Sequence, residues 1–127
     1  SDTPATLLVC MNKAASSHGH FIDNKILTVN VLGAHQQHLS QAFSSKMSPE
    51  ERFRYADWTE LKTGAPVLED ALVSFDCQIE HIQAVGTHTI FICRIVAIQH
   101  GQHDQGLVYF NRGYHHVGHR VKQAEIA

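Results

Sequence analysis

Apolar and polar positions change period several times along this chain of 127 residues, and each change predicts a new element. Thr6–Met11 (TLLVCM) is a continuous apolar run bounded by Pro4 and Asn12, the pattern of a buried strand with a partner on each side. Ser16 or Ser17 then suits the N-cap of a short helix reaching about Asn24, with Phe21 and Ile22 turned inward. In Lys25–Leu32, Ile26, Thr28 and Asn30 separate from Leu27, Val29 and Val31 onto two faces of a strand that Gly33 breaks. From Ala34 to Lys46 the spacing becomes helical, with Leu39, Ala42, Phe43 and Lys46 on one side and His35, Gln36, Gln37 and Gln41 on the wet side. Ser48-Pro49-Glu50-Glu51 predicts a second start: Ser48 at the cap, Pro49 at the first position, Glu51 reaching back. Thr63-Gly64-Ala65-Pro66 is turn material.

The cleanest alternation begins after Ala71. Val73, Phe75, Cys77 and Ile79 alternate with Ser74, Asp76, Gln78 and Glu80, which predicts one buried and one wet face. The parity slips near His81, where a bulge or bend is expected. Val85-Gly86-Thr87 reads as a hairpin tip, and Thr89–Ile98 returns with apolar residues at both parities, so both of its faces should be covered. Leu107–Phe110 is a further strand, and the tail from Val117 is polar. Together these elements predict a mainly β, compact barrel decorated by short helices.

Composition adds exclusions. Hydrophobic residues make up 43% and charged residues 17%, an ordinary globular balance. A formal net charge of -2 offers no electrostatic case for nucleic acid. No apolar run approaches the roughly 18–20 residues of a membrane-spanning helix. The opening SDTP lacks the basic n-region of a signal peptide. A cytoplasmic protein with no membrane or nucleic-acid partner is expected. Cys10, Cys77 and Cys93 each sit in an apolar run without pairing spacing, which predicts buried, reduced thiols and no nucleophile.

Two regions carry candidate chemistry. The apolar strand ending at Cys10 and Met11 runs into Asn12, Lys13, Ser16, Ser17 and His18, a hydroxyl-rich loop with one cation. Such a loop suits a phosphate-bearing planar cofactor, because a phosphate needs neutralising charge and several donors at close range. The alternative is that the serines cap a helix and Lys13 is solvated. His88 follows Gly86-Thr87 at the start of the most apolar strand, and Tyr114 follows Asn111-Arg112-Gly113. They could close over the face of that cofactor, or be a satisfied strand-end histidine and a surface tyrosine. The 11 histidines, tightest at His18/His20, His35/His38 and His115/His116/His119, lack the spacing of recognised metal motifs, so no metal site is expected. No Gly-rich dinucleotide fingerprint, P-loop or nucleophile elbow is present.

In this order, SDTPATLLVCMNKAASSH, KILTVNVLGAHQQHLSQAFS, ERF, GAPVLEDALVSFDCQIEHIQAVGTHTIF and GLVYFNRGYH resemble the short-chain flavin reductases, the small components of two-component aromatic monooxygenases acting on para-hydroxyphenylacetate or phenol. The resemblance spans Ser1 to about Val117. It implies a flavin-binding split β-barrel with short flanking helices, one domain over residues 1–127, and a further strand pair ahead of Ser1. It further implies a homodimer holding FMN or FAD near the subunit contact. Hydride would pass from NADH or NADPH to the flavin, and the reduced flavin would diffuse to a large oxygenase component. Carried over by position, Cys10, Met11 and Asn12 follow the isoalloxazine edge. Lys13, Ser16, Ser17 and His18 lie at the ribityl-phosphate end, Phe53 borders it, and His88 and Tyr114 meet the nicotinamide. No residue is implied as catalytic, since hydride transfer proceeds by stacking. A non-catalytic flavin- or haem-binding module and a His-rich metal-binding barrel are the rival readings.

Overall fold

The structure, a computed structural model, describes residues 1–121. Its frame is a pair of long antiparallel strands, β5 (Val73–Val85) and β6 (His88–His100), joined at Gly86, whose φ of 56° suits a residue without Cβ. β1 (Thr6–Asn12) adds to the outer edge of β6 and β2 (Ile26–Val31) to that of β5, so the sheet runs β1-β6-β5-β2, a curled half barrel. The register of β5 and β6 shifts between Asp76 and Cys77 and again between Ile79 and His81, the second being the slip read from parity. Leu27, Cys77, Ile79, Phe91 and Cys93 form the buried centre of this sheet. Phe21 and Ile22 of helix α1 (His18–Asn24) pack on it as predicted.

A second, smaller core of Leu39, Leu68 and Ala71 sits under the segment between β2 and β5. That segment holds α2 (Gln37–Ser44), α3 (Pro49–Phe53) and the two-residue strands β3 (Trp58–Thr59) and β4 (Val67–Leu68). Ser48 caps α3 by accepting from the Glu51 N–H at 3.3 Å, with Pro49 at the first helical position. Among the described residues no helix is long and apolar enough to cross a membrane.

Several expectations are corrected. Neither Ser16 nor Ser17 caps α1 with its side chain; the helix is instead closed by Lys25 in the left-handed region at φ 57°, its N–H bonded to Phe21 O. The helical pattern from Ala34 divides into a 3-10 turn (Ala34–Gln36) and α2, because the Gln36 side chain is buried rather than wet. Its amide donates to Asp70 O at 2.8 Å and its Oε1 accepts from Gly33 N at 2.9 Å, so burial leaves no polar atom unanswered.

The wet face expected for β5 is closed at its start, where Ser74 and Asp76 are both 0% exposed. Asp76 Oδ2 accepts from Lys62 N at 2.7 Å and Thr63 N at 2.9 Å, and Oδ1 accepts from the Thr63 hydroxyl at 2.5 Å. Ser74 Oγ donates to Asn30 Oδ1 at 2.8 Å, and Leu68 N donates to the same oxygen at 3.0 Å. Only Gln78 and Glu80 face solvent as predicted.

β1 is paired on one side only among the described residues; Leu8 is 61% exposed and Cys10 is exposed as well, so that thiol is not buried. β6 is covered on both faces along its first half, whereas Ile98 near its end is 48% exposed.

The segment after Phe110 turns back as β8 (Gly113–Val117) against β7 (Gly106–Phe110), a strand that the polar pattern concealed. Asn111 and Arg112 both have positive φ, 50° and 59°, which makes their turn the primed type that matches strand twist. The hairpin is tied to the end of β2 by Leu107 N to Leu32 O at 3.1 Å and by Ala34 N to Gln105 O at 2.8 Å. At Gly101 the chain passes so close to the Ala71–Leu72 turn that a Cβ would lie 2.0 Å from Ala71 O.

Asp76→Ala would leave the Lys62 and Thr63 backbone N–H groups and the Thr63 hydroxyl without their acceptor, a carboxylate that is itself fully buried. We expect a loss of about 3 kcal/mol in urea unfolding, against less than about 0.5 kcal/mol for the exposed control Gln78→Ala.

Candidate functional site

The early turn is built by its first residue. Asn12 Oδ1 accepts from Ala14 N at 2.9 Å while its carbonyl accepts from Ala15 N at 3.0 Å, a compact Asx turn. His18 N then bonds to Ala15 O at 3.0 Å and α1 begins. The turn is fastened to the β5–β6 tip by register: Asn12 stands opposite His88, and Lys13 N donates to Thr87 O at 2.9 Å. The His18 ring lies over Phe91 at 6.1 Å, with Nε2 at 2.9 Å from Thr89 Oγ1. His88 Nδ1 is 2.8 Å from the Thr87 hydroxyl.

Cys10, Met11, Asn12, Lys13, Ser16, Ser17, His18 and His88 thus come together at one end of the sheet. Lys13 forms no ion pair among the described residues, and the Ser16 and Ser17 hydroxyls make no hydrogen bond there, so their donors face solvent. An exposed cation among free hydroxyls can take an anion without first breaking an internal bond. The seven-residue α1 adds only a small dipole, so side-chain donors dominate.

Tyr114 and Phe53 belong to a second group. Tyr114 lies against Tyr109 at 5.1 Å and its hydroxyl donates to Ser40 Oγ at 3.0 Å. Phe53 packs on Phe43 at 5.3 Å and on Trp58 at 4.7 Å. Phe43, Phe53, Trp58 and Ser40 line a cavity of about 610 Å³ that His20, Phe21 and Asn24 of α1 also border; Tyr114 is not in its lining and meets it only through the bond to Ser40. Its walls are chiefly apolar, and Thr28 Oγ1, in the lining, is buried without a hydrogen-bond partner. An apolar slot with an unanswered hydroxyl fits a flat ring system that carries polar atoms on its edge. α1 is the shared wall: its preceding loop holds the free donors and its inner face lines the slot. No hydrogen bond or ring contact joins Tyr114 to the early turn among the described residues.

Ser40, Phe43, Trp58 and Thr28 were not singled out from sequence. The aromatics gave a faint signal, since Phe43 and Phe53 fall near the ends of the two helical runs and Trp58 follows shortly after. Thr28 and Ser40 gave none, because each is one small polar residue in an ordinary amphipathic run.

Comparison with known proteins shows the family of the chain. Residues 1–118 match the family described as flavin reductase like domain. The chain is 51% identical over 114 residues to the FMN reductase (NADH) RutF of Acinetobacter baylyi, covering 90% of this chain and 61% of that protein. It therefore spans about three fifths of the length of such relatives. The crystal structure of a candidate flavin reductase from Haemophilus somnus 129PT superposes with a TM-score of 0.90 at 52% identity, covering 92% of this chain and 75% of that one. BorF, the flavin reductase component of a bacterial two-component tryptophan halogenase, superposes at 0.84 with 28% identity, covering 94% and 77%.

The three thiols differ in environment. Burial pushes Cys77 up to about 12, aided by the nearby Cys93 and Asp76, and pushes Cys93 up to about 11. One thiol per native chain, Cys10, should therefore react with an aromatic disulfide reagent, and all three after denaturation. The unfolded chain releases these protons from about pH 9 upward while the fold retains them. Stability from this source is whole below that pH and is lost as pH climbs toward about 11 and then about 12. Denaturation midpoints in a pH series check the sign.

Proposed function

Because the chain belongs to the flavin reductase-like domain family, we propose that it reduces free flavin with a nicotinamide, with FMN as flavin and NADH as donor. The observation that carries this reading is the register that sets His88 beside the free donors of the Asn12–His18 turn. Flavin supplies a two-electron acceptor, hydride leaving nicotinamide C4 and adding at flavin N5.

The chain's own residues would bind and orient. Lys13 neutralises the phosphate, Ser16 and Ser17 donate to it, and the backbone of Cys10, Met11 and Asn12 follows the ring edge. His18, braced on Thr89 and Phe91, limits how far the loop can move. His88 positions the nicotinamide. Hydride transfer needs no protein acid, base or nucleophile, in keeping with a site where Lys13 and His88 are exposed and His18 is occupied by Thr89. Proximity of two stacked rings is then the main source of rate.

A second copy of the chain would complete the site. Tyr114 stands with Ser40 rather than with the early turn, so a homodimer could set one protomer's tyrosine against its partner's turn. The reduced flavin would pass by diffusion to a separate oxygenase component in the cytoplasm. An aromatic-ring monooxygenase is the partner class that this reading favours.

Steady-state NADH oxidation with added FMN tests the activity; tight flavin colour without turnover would instead identify a binding module. His88→Ala should raise the KM for NADH about tenfold with smaller change in kcat, and unchanged kinetics would remove His88 from the site. Lys13→Ala should weaken FMN about tenfold, some 1.4 kcal/mol, while leaving riboflavin affinity unaltered. Equal losses for the two flavins would overturn the phosphate assignment.

A further inference from the structure

Away from the sheet end that holds the early turn, three side chains from distant parts of the chain converge on one point. His35 lies in the 3-10 turn, Asp70 in the turn before β5, and His103 in the loop between β6 and β7. His35 Nε2 is 2.8 Å from Asp70 Oδ2 and His103 Nε2 is 3.1 Å from Asp70 Oδ1. The two imidazoles stack with centroids 3.8 Å apart, and the three donor atoms all lie within 4.8 Å of one another. We propose that His35, Asp70 and His103 form a surface site for one divalent first-row metal ion of the zinc class.

The donor chemistry suits that class, since two imidazole nitrogens and a carboxylate are borderline ligands that leave a fourth position for water. The spacing suits it too. Ligand atoms around a tetrahedral ion with bonds near 2.0 Å stand about 3.3 Å apart; the three donor atoms already lie within 4.8 Å of one another, and an ion would replace the two hydrogen bonds that the histidines make to opposite oxygens of Asp70. Stacked imidazoles aimed at one carboxylate would repel if both were protonated, whereas an ion takes both as neutral ligands.

The backbone holds the three residues in place without help from the ligand. Buried Gln36 bonds Asp70 O at 2.8 Å and Gly33 N at 2.9 Å, locking the Asp70 turn to the 3-10 turn that carries His35. Ala34 N bonds Gln105 O at 2.8 Å, which fixes the end of the His103 loop to the same turn. A hollow of about 270 Å³ opens beside the two histidines, with Asp104 and His116 also at its edge. An ion here would clip the β6–β7 loop to the 3-10 turn and steady the hairpin that bears Tyr114. It would be a structural clip, separate from the flavin reading and unaffected by its failure.

The test is calorimetric titration of chelator-treated protein with Zn²⁺ at neutral pH, with Co²⁺ absorption as a geometric readout. One ion per chain is expected. His35→Gln, His103→Gln and Asp70→Asn should each weaken binding at least about tenfold, with unchanged circular dichroism; the exposed control His81→Gln should not. Zn²⁺ should raise the Tm of the parent protein and not that of the His35→Gln or His103→Gln variants. Absence of a stoichiometric ion, or binding that survives these substitutions and so resides on other histidines, would overturn the proposal.

Discussion

The arrangement at the sheet end rests on the antiparallel register between β1 and β6. With Asn12 opposite His88, the turn that follows β1 must emerge beside the β5–β6 tip. A slip of one residue would exchange the faces of β1, turning Leu7, Val9 and Met11 out of the core and Leu8 and Cys10 into it. The apolar side of β1 thus enforces the position of polar groups that contribute nothing to burial themselves. Packing sets the site, and the free donors of Lys13, Ser16 and Ser17 are carried there by it.

A different device shapes the cavity. Asn30, Ser74 and Asp76 form a buried polar face that grips backbone amides of the loop between β3 and β5. Side chains rather than a sheet ladder hold that loop, since β3 and β4 pair over only two residues. The grip places Ala65 and Pro66 opposite β2 and so fixes the width of the slot into which Thr28 faces. A purely apolar face on β5 would pack as well but would not specify which amides it met.

Much of this fold was readable from periodicity. The β2 and β5 alternations, the bulge near His81, the Gly86 tip and the Ser48-Pro49 helix start all follow from local rules, because each depends on neighbours within a few residues. What was hidden depends on partners far along the chain. Ser74 and Asp76 looked wet because their partners lie far along the chain: Asp76 accepts from residues 62 and 63, and Ser74 donates to Asn30. Gln36 looked wet for the same reason, its partner being Asp70. Cys10 looked buried because an apolar run does not reveal how many strands flank it. β8 was masked by His115 and His116, which point outward from a short hairpin. At the candidate site, the early turn and His88 were singled out by residue chemistry and by family resemblance together, while the cavity's Ser40 and Thr28 carried no sequence signal.

Gly101 has a consequence for how this surface can vary. Its backbone is pressed against the Ala71–Leu72 turn, with its N–H on Leu72 O at 3.0 Å, so any side chain there would lever the end of β6 away from the residue that follows Asp70. Immediately beyond it, Gln102, His103 and Asp104 are exposed, and the His103 ring meets only the side chains of His35 and Asp70 rather than a backbone wall. The loop therefore has a pivot that admits no side chain and an exposed crest: chemistry can be exchanged on the crest, residue by residue, without disturbing the sheet from which it springs.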